Sequence, residues 1–400
     1  MVAEYRSGDP LPYGVFTTVG RDDASVGASV GVAVGDQVLD LTAISAARRS
    51  PYASLFETGS LDPLLRSGRR VWDRVRAQVR DWLAEHQRGE PTLGAYLLAR
   101  GDVRMHLPFT VADYVDFYAS EQHASTVGAL FRPDGDPLPA AWRHLPMGYH
   151  GRAGSVIASG SNVPRPSGLL GQESGQVIFG RSTQLDFEAE VGFVVGTGST
   201  RGTTVSLDDI REHVFGVVLV NDWSARDIQS FEARPLGPML GKSFATSISA
   251  WVLPLDELDA AHVSPPIRDP RPAAYLDDGK TEPWGLQLSL AVTINGTLVA
   301  TPQYSTMYWT PAQMLAHLTV GGAALRSGDL LASGTVSSPG DSGAGSLLER
   351  TTPGTPALTL DDGSSRTFLH DGDEVVITGS APGANGSRVV LGEVRGRITG

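Results

Sequence analysis

The chain of 400 residues contains no cysteine. That absence excludes disulfides, a thiol nucleophile and thiolate metal sites. An excess of positive charge is missing too, since the net charge is -12 at neutral pH. Such a balance argues against nucleic acid or an anionic membrane as a partner, yet leaves room for a local basic pocket that takes a small anion. No apolar run approaches the length of a membrane span. The opening residues carry no apolar signal-like core, so a cytoplasmic location is expected. Asn295-Gly-Thr and Asn385-Gly-Ser fit the glycosylation pattern but, with no signal peptide expected, read as turns. There is no internal repeat and no low-complexity tail. With 41% hydrophobic and 19% charged residues, the chain has an ordinary globular composition and the length for two or three domains.

What the chain does have is a polar stretch from Asp113 to Arg152, rich in Asp, His, Tyr and Arg and punctuated by Gly and Pro. Those residue types suit a site better than a core. His123, in Ser120-Glu121-Gln122-His123-Ala124-Ser125, is the first candidate for a general base. His144 and His150 are alternatives, although His150, between Tyr149 and Gly151, reads more simply as a loop histidine.

Before this stretch, residues 1–108 read as a small supporting or dimerisation domain. Short strand-like runs occupy Gly14 to Thr18, Val26 to Val34 and Gln37 to Leu41. Trp72, Val75, Val79 and Trp82-Leu83 then recur at helical spacing. No cluster of chemistry-bearing residues falls here. Residues 109–400 read as a β-dominated second domain, a sandwich or roll with long loops. Ser155 to Gly175, rich in Gly, Ser and Pro, reads as a loop or covering arm. Leu286 to Ile294 alternates and ends in Asn295-Gly296, a hairpin signal. Two more strand-like runs lie between Glu374 and Ile398.

From Leu185 to Val191 the alternation is strict, placing Asp186, Glu188 and Glu190 on one face. A single strand with such a face is commonly solvent-exposed. The next strand, Val214 to Val220, is almost wholly apolar and ends in Asn221-Asp222. Asp116, Glu188, Glu190 and Asp222 would together make an all-oxygen set suited to Mg²⁺ or Ca²⁺. Further on, Arg226, Gln229 and Lys242 are candidate donors to an oxyanion. Lys242 taken alone is as easily a surface lysine. Gly241-Lys242-Ser243 resembles the end of a phosphate-binding loop, but Leu236 stands where that pattern needs Gly, so no nucleotide site is expected.

The segments DYVDFYASEQHA, HLPMGYHGR, DFEAEVGF, VNDWSARDIQ, PLGPMLGKSF, MYWT, GDLLASGT and FLHDGDEVVITG resemble the fumarylacetoacetase family. The resemblance runs in order through nearly the whole chain. It implies a small N-terminal SH3-like barrel followed by a mixed β-sandwich roll, in a homodimer. It also implies hydrolysis of a carbon–carbon bond in a 1,3-diketo acid, giving fumarate and acetoacetate at the end of tyrosine breakdown. By motif position, Asp116, Glu188, Glu190 and Asp222 would hold the metal, with Lys242 and Thr246 beside it. His123 falls on the family's base and Glu349 on the acid that orients it. Arg226, Gln229 and Lys242 fall on the oxyanion donors, and Tyr118, Arg132, Tyr149, Gln229 and Thr335 on substrate contacts.

One position departs from the pattern. Ala233 stands where the family generally carries a substrate-contacting Tyr, and Arg234 follows it. Two other readings therefore stay open. One is a relative of the same fold that hydrolyses or decarboxylates a different 1,3-diketo or 2-oxo acid. The other is a non-catalytic, metal-stabilised scaffold, against which the His123 and Glu349 pair speaks.

Overall fold

The computed structural model describes residues 9–20, 27–89, 93–132, 134–172, 174–351 and 357–400. The strand expected from Val26 begins outside them, and its described part is Ser29–Val34. Strands Tyr13–Thr18, Ser29–Val34 and Gln37–Asp40 pair antiparallel in chain order. Leu97–Ala99 and Val103–His106 extend the sheet on either side. The described pairing is open and shows no barrel closure. Instead Tyr13 and Gly14 pair with Val252 and Trp251, so the N-terminal strands run on into the main sheet. The helix Arg69–Gln87 buries Trp72, Val75, Val79, Trp82 and Leu83, as their spacing predicts.

That main sheet is mixed. Its central order is Trp251–Pro254, Val214–Asp222, Ala189–Val195, Asp329–Ala332, Asp113–Phe117, Gly148–His150. Only the Asp329–Ala332 and Asp113–Phe117 neighbours in this run are parallel. Side chains alternate between its faces. Val191, Phe193, Val217 and Leu219 point to one core, where a second, five-stranded sheet containing Ser289–Ile294, Glu374–Pro382 and Arg388–Thr399 covers them. Val194, Val218, Val220, Leu330 and Ala332 point to the other, which they share with Leu11, Tyr13, Leu64 and Trp72. The N-terminal part is thus one wall of the central sheet's core. Glu190, Asp222 and Asp116 share the parity of this second face, and they lie at its far end.

Two expectations about loops met different outcomes. Asn295 (φ 50°) and Gly296 (φ 86°) form the tight hairpin turn between Ser289–Ile294 and Thr297–Ala300. The covering arm from Ser155, by contrast, contains three short strands. Val156–Ala158 pairs in parallel with Thr246–Ile248, and Asn162–Pro164 with Arg388–Thr399. Ser167–Gly171 pairs with Val177–Arg181. The partners of the first two come from far along the chain, and such pairing overrides a weak local preference. Among the described residues, no helix is long and apolar enough to cross a membrane.

One close contact anchors the edge of this sheet. A Cβ at Gly151 would lie 2.2 Å from the ring of Tyr114, a residue of the strand that carries Asp116. Gly151→Ala is expected to lower stability by about 1–3 kcal/mol through overpacking, read as a lower urea midpoint. An unchanged midpoint would contradict this packing.

Candidate active site

Sheet register places the acidic residues in a row. Asp222 sits opposite Thr246, and Glu190 lies opposite Val220 on the adjoining strand. Across the next strand, Gly192 pairs with Ala332 and Ala332 with Asp116. Asp116 in turn faces Tyr149. Ala332 is small, so the row is left open between Glu190 and Asp116. Ligand atoms of Asp116, Glu188, Glu190 and Asp222 all lie within 4.8 Å of one another, and all four residues are buried. The solvent-facing strand face that alternation alone allowed for Glu188 and Glu190 is not what forms.

Two buried cations stand against this charge. Lys242 Nζ bonds Glu188 and lies 2.6 Å from Asp222 Oδ2. Lys242 is one of only two lysines in the chain, the other being Lys280. A compact ammonium fits between two carboxylates where a planar guanidinium would not. The loop carrying Lys242 reaches the site because position 241 is glycine; a Cβ there would sit 2.8 Å from Gln229 backbone atoms. Arg226 opens the helix Arg226–Glu232. Its Nη1 lies 2.8 Å from Glu188 Oε1 and donates to Gln229 Oε1 at 3.1 Å. Gln229 accepts there through its amide oxygen, which leaves the NH₂ as its donor group. Asp222 also accepts from Thr246 at 2.9 Å and from the Tyr149 hydroxyl at 3.1 Å.

His123 is the third residue of the helix Glu121–Phe131, whose N-cap Ser120 accepts from the His123 N–H. The ring is buried, with Nδ1 2.9 Å from Glu349 Oε2 and Nε2 3.9 Å from Glu188 Oε1. The Nδ1–H direction departs from the line to the oxygen, so the pair is a close charge contact more than an aligned hydrogen bond. Glu349 Oε2 also accepts from Ser337 and Ser346 at 2.9 Å each. Tyr118 packs edge-on against the His123 ring, with centroids 5.5 Å apart.

The remaining candidates fall as follows. Thr335 is buried on the segment after the Ala332 strand. Arg132 donates to the backbone carbonyls of Asp136 and Pro137, closing its own loop. His144 and His150 are exposed, and His150 Nδ1 is 3.7 Å from Asp113. A cavity of about 520 Å³ reaches Asp222, Lys242, Tyr149 and Thr246, with Met239 and Leu240 on its rim. Four residues of the site are not among the sequence's candidates. Asp186 was seen only as a strand residue, although it binds Arg226. Ser120 carried a visible signal, a capping residue three before His123. Ser337, twelve positions before Glu349, carries none, whereas Ser346 stands three before Glu349 in a Ser-x-x-Glu spacing that the sequence displays.

Electrostatics separates the carboxyls. Burial first, and then the charge of Asp222, holds Asp116 well above the usual carboxylate range. Burial and then Asp116 do the same to Glu190. Burial pushes Glu188 upward as well, but Lys242, Arg226 and His123 together outweigh it and hold Glu188 below that range. Burial pushes Glu349 upward too, but the close contact with His123 and the hydrogen bonds from Ser337 and Ser346 outweigh it and hold Glu349 below that range. Among the described residues, Asp116 Oδ1 and both Glu190 oxygens have no hydrogen-bond partner. Three orphaned, inward-facing oxygens in an all-oxygen set fit a divalent cation.

Fold and site together define a mainly β protein in which a buried His–Glu pair adjoins a carboxylate cluster that could hold a metal. Residues 9–108 match the fumarylacetoacetase N-terminal family, and residues 113–398 match the fumarylacetoacetate (FAA) hydrolase C-terminal family. Fumarylacetoacetase of Rattus norvegicus is 41% identical over 403 residues, covering 97% of this chain and 94% of that protein. The Arabidopsis thaliana fumarylacetoacetase is 38% identical over 405 residues, with 97% and 94% covered. Among solved structures, a fumarylacetoacetate hydrolase from Exiguobacterium antarcticum superposes with a TM-score of 0.56 at 16% identity, covering 97% of this chain and 99% of that one. The chain belongs to the fumarylacetoacetase family.

The raised carboxyls generate a pH prediction. A cation needs Asp116 and Glu190 ionised, so binding must release protons. Because their folded values are raised, these groups favour the metal-free fold at low pH, and that contribution is lost as pH rises through those values. Added Mg²⁺ restores stability, so its thermal gain should be larger at about pH 8 than at about pH 6. Calorimetric Mg²⁺ titrations in buffers of different ionisation enthalpy should report proton release. Proton-neutral binding would contradict the assignment.

Proposed function

We propose that this chain hydrolyses 4-fumarylacetoacetate to fumarate and acetoacetate, the last step of tyrosine and phenylalanine breakdown. The observation that carries the reading is the buried His123–Glu349 pair set beside the four-carboxylate cluster. Asp116, Glu188, Glu190 and Asp222 would hold Mg²⁺ or Ca²⁺, with Lys242 and Thr246 adjoining. When bound, such an ion polarises the diketone oxygens. His123 takes a proton from water as the water oxygen adds to the carbonyl carbon. Glu349, fixed by Ser337 and Ser346, holds the ring and stabilises the imidazolium. Lys242, Arg226 and Gln229 supply donors to the oxyanion, a donor of this kind being worth roughly 3 kcal/mol of barrier. The carbon–carbon bond then breaks with its electron pair leaving as an enolate. The proton held on His123 returns to the enolate carbon, so water is consumed and no redox partner is needed.

Tyr118, Arg132, Tyr149 and Thr335 are read as substrate contacts, residues 1–108 as the supporting domain, and the working form as a cytoplasmic homodimer. A different 1,3-diketo or 2-oxo acid is the second reading. It is favoured by Ala233 and by the exposed apolar residues Met239 and Leu240 that line the cavity. A wider, more apolar mouth would suit a bulkier chain.

The test follows the loss of the diketone's ultraviolet absorbance, using metal-stripped protein with and without Mg²⁺. Turnover should need the metal and fall by roughly 10²–10⁴-fold in His123→Ala. No turnover by folded, metal-loaded protein, with activity instead on a bulkier diketo acid, would favour the second reading. In that case Ala233→Tyr should gain fumarylacetoacetate activity.

A further inference from the structure

Asp186 is fully buried, and its carboxylate ties Arg226 to the helix that carries Glu349. Oδ2 accepts from Arg226 Nε at 2.9 Å, and Arg226 Nη2 lies 2.8 Å away. The same oxygen accepts from the Leu348 N–H at 3.0 Å. Oδ1 accepts from the Leu347 N–H at 2.8 Å and from Phe187 N–H at 2.8 Å. Leu347 and Leu348 begin the four-residue helix Leu347–Arg350, which carries Glu349. The N-cap of that helix, Ser346, makes no capping bond because its hydroxyl goes to the Glu349 carboxylate. The first N–H groups of the helix are therefore held by a carboxylate from a distant strand.

The two branches end on opposite sides of His123's chemistry. One runs through Arg226 to Glu188 and Gln229. The other runs through the Glu349 helix to His123 Nδ1. Ser337 and Ser346 hold the Glu349 carboxylate and buried Leu347 anchors the helix, while Asp186 is what takes up its first N–H groups and so bears on its orientation. We propose that Asp186 is a positioning residue that sets Arg226 and Glu349 relative to each other, keeping the oxyanion donor and the base pair in one geometry. The inference rests on the roles given above to His123, Glu349 and Arg226.

Asp186→Asn keeps the shape but replaces one accepting oxygen by a group that cannot accept. Either Arg226 or the helix N–H groups must then lose a partner. In the metal-loaded full chain, kcat should fall roughly 10- to 100-fold, with KM changing far less. A merely structural ion pair would lower stability but would act independently of the pair it supports. The cycle with Glu349→Gln separates the two, since residues acting through one network are not additive. Asp186→Asn should cost much less in the Glu349→Gln background than alone. The His123 Nδ1 proton, followed by NMR, needs no substrate; its resonance should shift or broaden in Asp186→Asn. Unchanged kcat in a folded variant, the same fold-loss in both backgrounds, or an unmoved His123 resonance would overturn the proposal. If the Asn variant does not fold, Asp186→Glu, which keeps the charge and displaces it, is carried through the same measurements. Absence of hydrolysis by the unaltered protein would instead count against the functional reading, while the His123 resonance still decides the positioning role.

Discussion

The Lys242 ammonium between Glu188 and Asp222 is the contact on which the site depends. Four carboxylates within 4.8 Å of one another repel strongly in a buried setting. Lys242 and Arg226 neutralise part of that charge and leave Asp116 and Glu190 to be neutralised by protons or by a cation. Removing one partner of such a buried pair typically costs about 3–5 kcal/mol, because the other charge stays behind uncompensated. The division of labour follows. Glu188 is fixed by Lys242 and Arg226, while Glu190 and Asp116 keep oxygens with no partner among the described residues.

The sheet makes this concentration of charge possible. Asp116, Glu190 and Asp222 come from three strands, on the face whose other end is packed by the N-terminal core. The opposite face is filled against the five-stranded sheet. With apolar packing on both sides, the strands are rigid, so the row keeps its register. The loops then add what the strands cannot: Lys242 from beside the Arg226 helix, His123 from a capped helix start, and Glu349 from a short helix.

Much of this was legible in the sequence, for identifiable reasons. The apolar run Val214 to Val220 marks a buried strand, and a carboxylate at its end marks a site. Asn295-Gly296 marks a turn, because positive φ at both residues is rare elsewhere. His123 stands out by its polar surroundings. Period-two alternation grouped Asp186 with Glu188 and Glu190, but regular pairing breaks after Asp186, and Glu188 bridges Ser346 instead. That break turns Asp186 toward Arg226 and the Glu349 helix. No local pattern records a partner more than 150 positions away. Distant partners likewise hide the first two strands inside the segment after Ser155.

The central claim is that Asp116, Glu188, Glu190 and Asp222 form one divalent-cation site facing the His123–Glu349 pair. Crystals of metal-stripped protein soaked in Mn²⁺ and measured at the manganese absorption edge test it most directly. The account predicts one strong anomalous peak per chain, coordinated by oxygens of those four residues. No peak there, or a peak held by other residues, would contradict it.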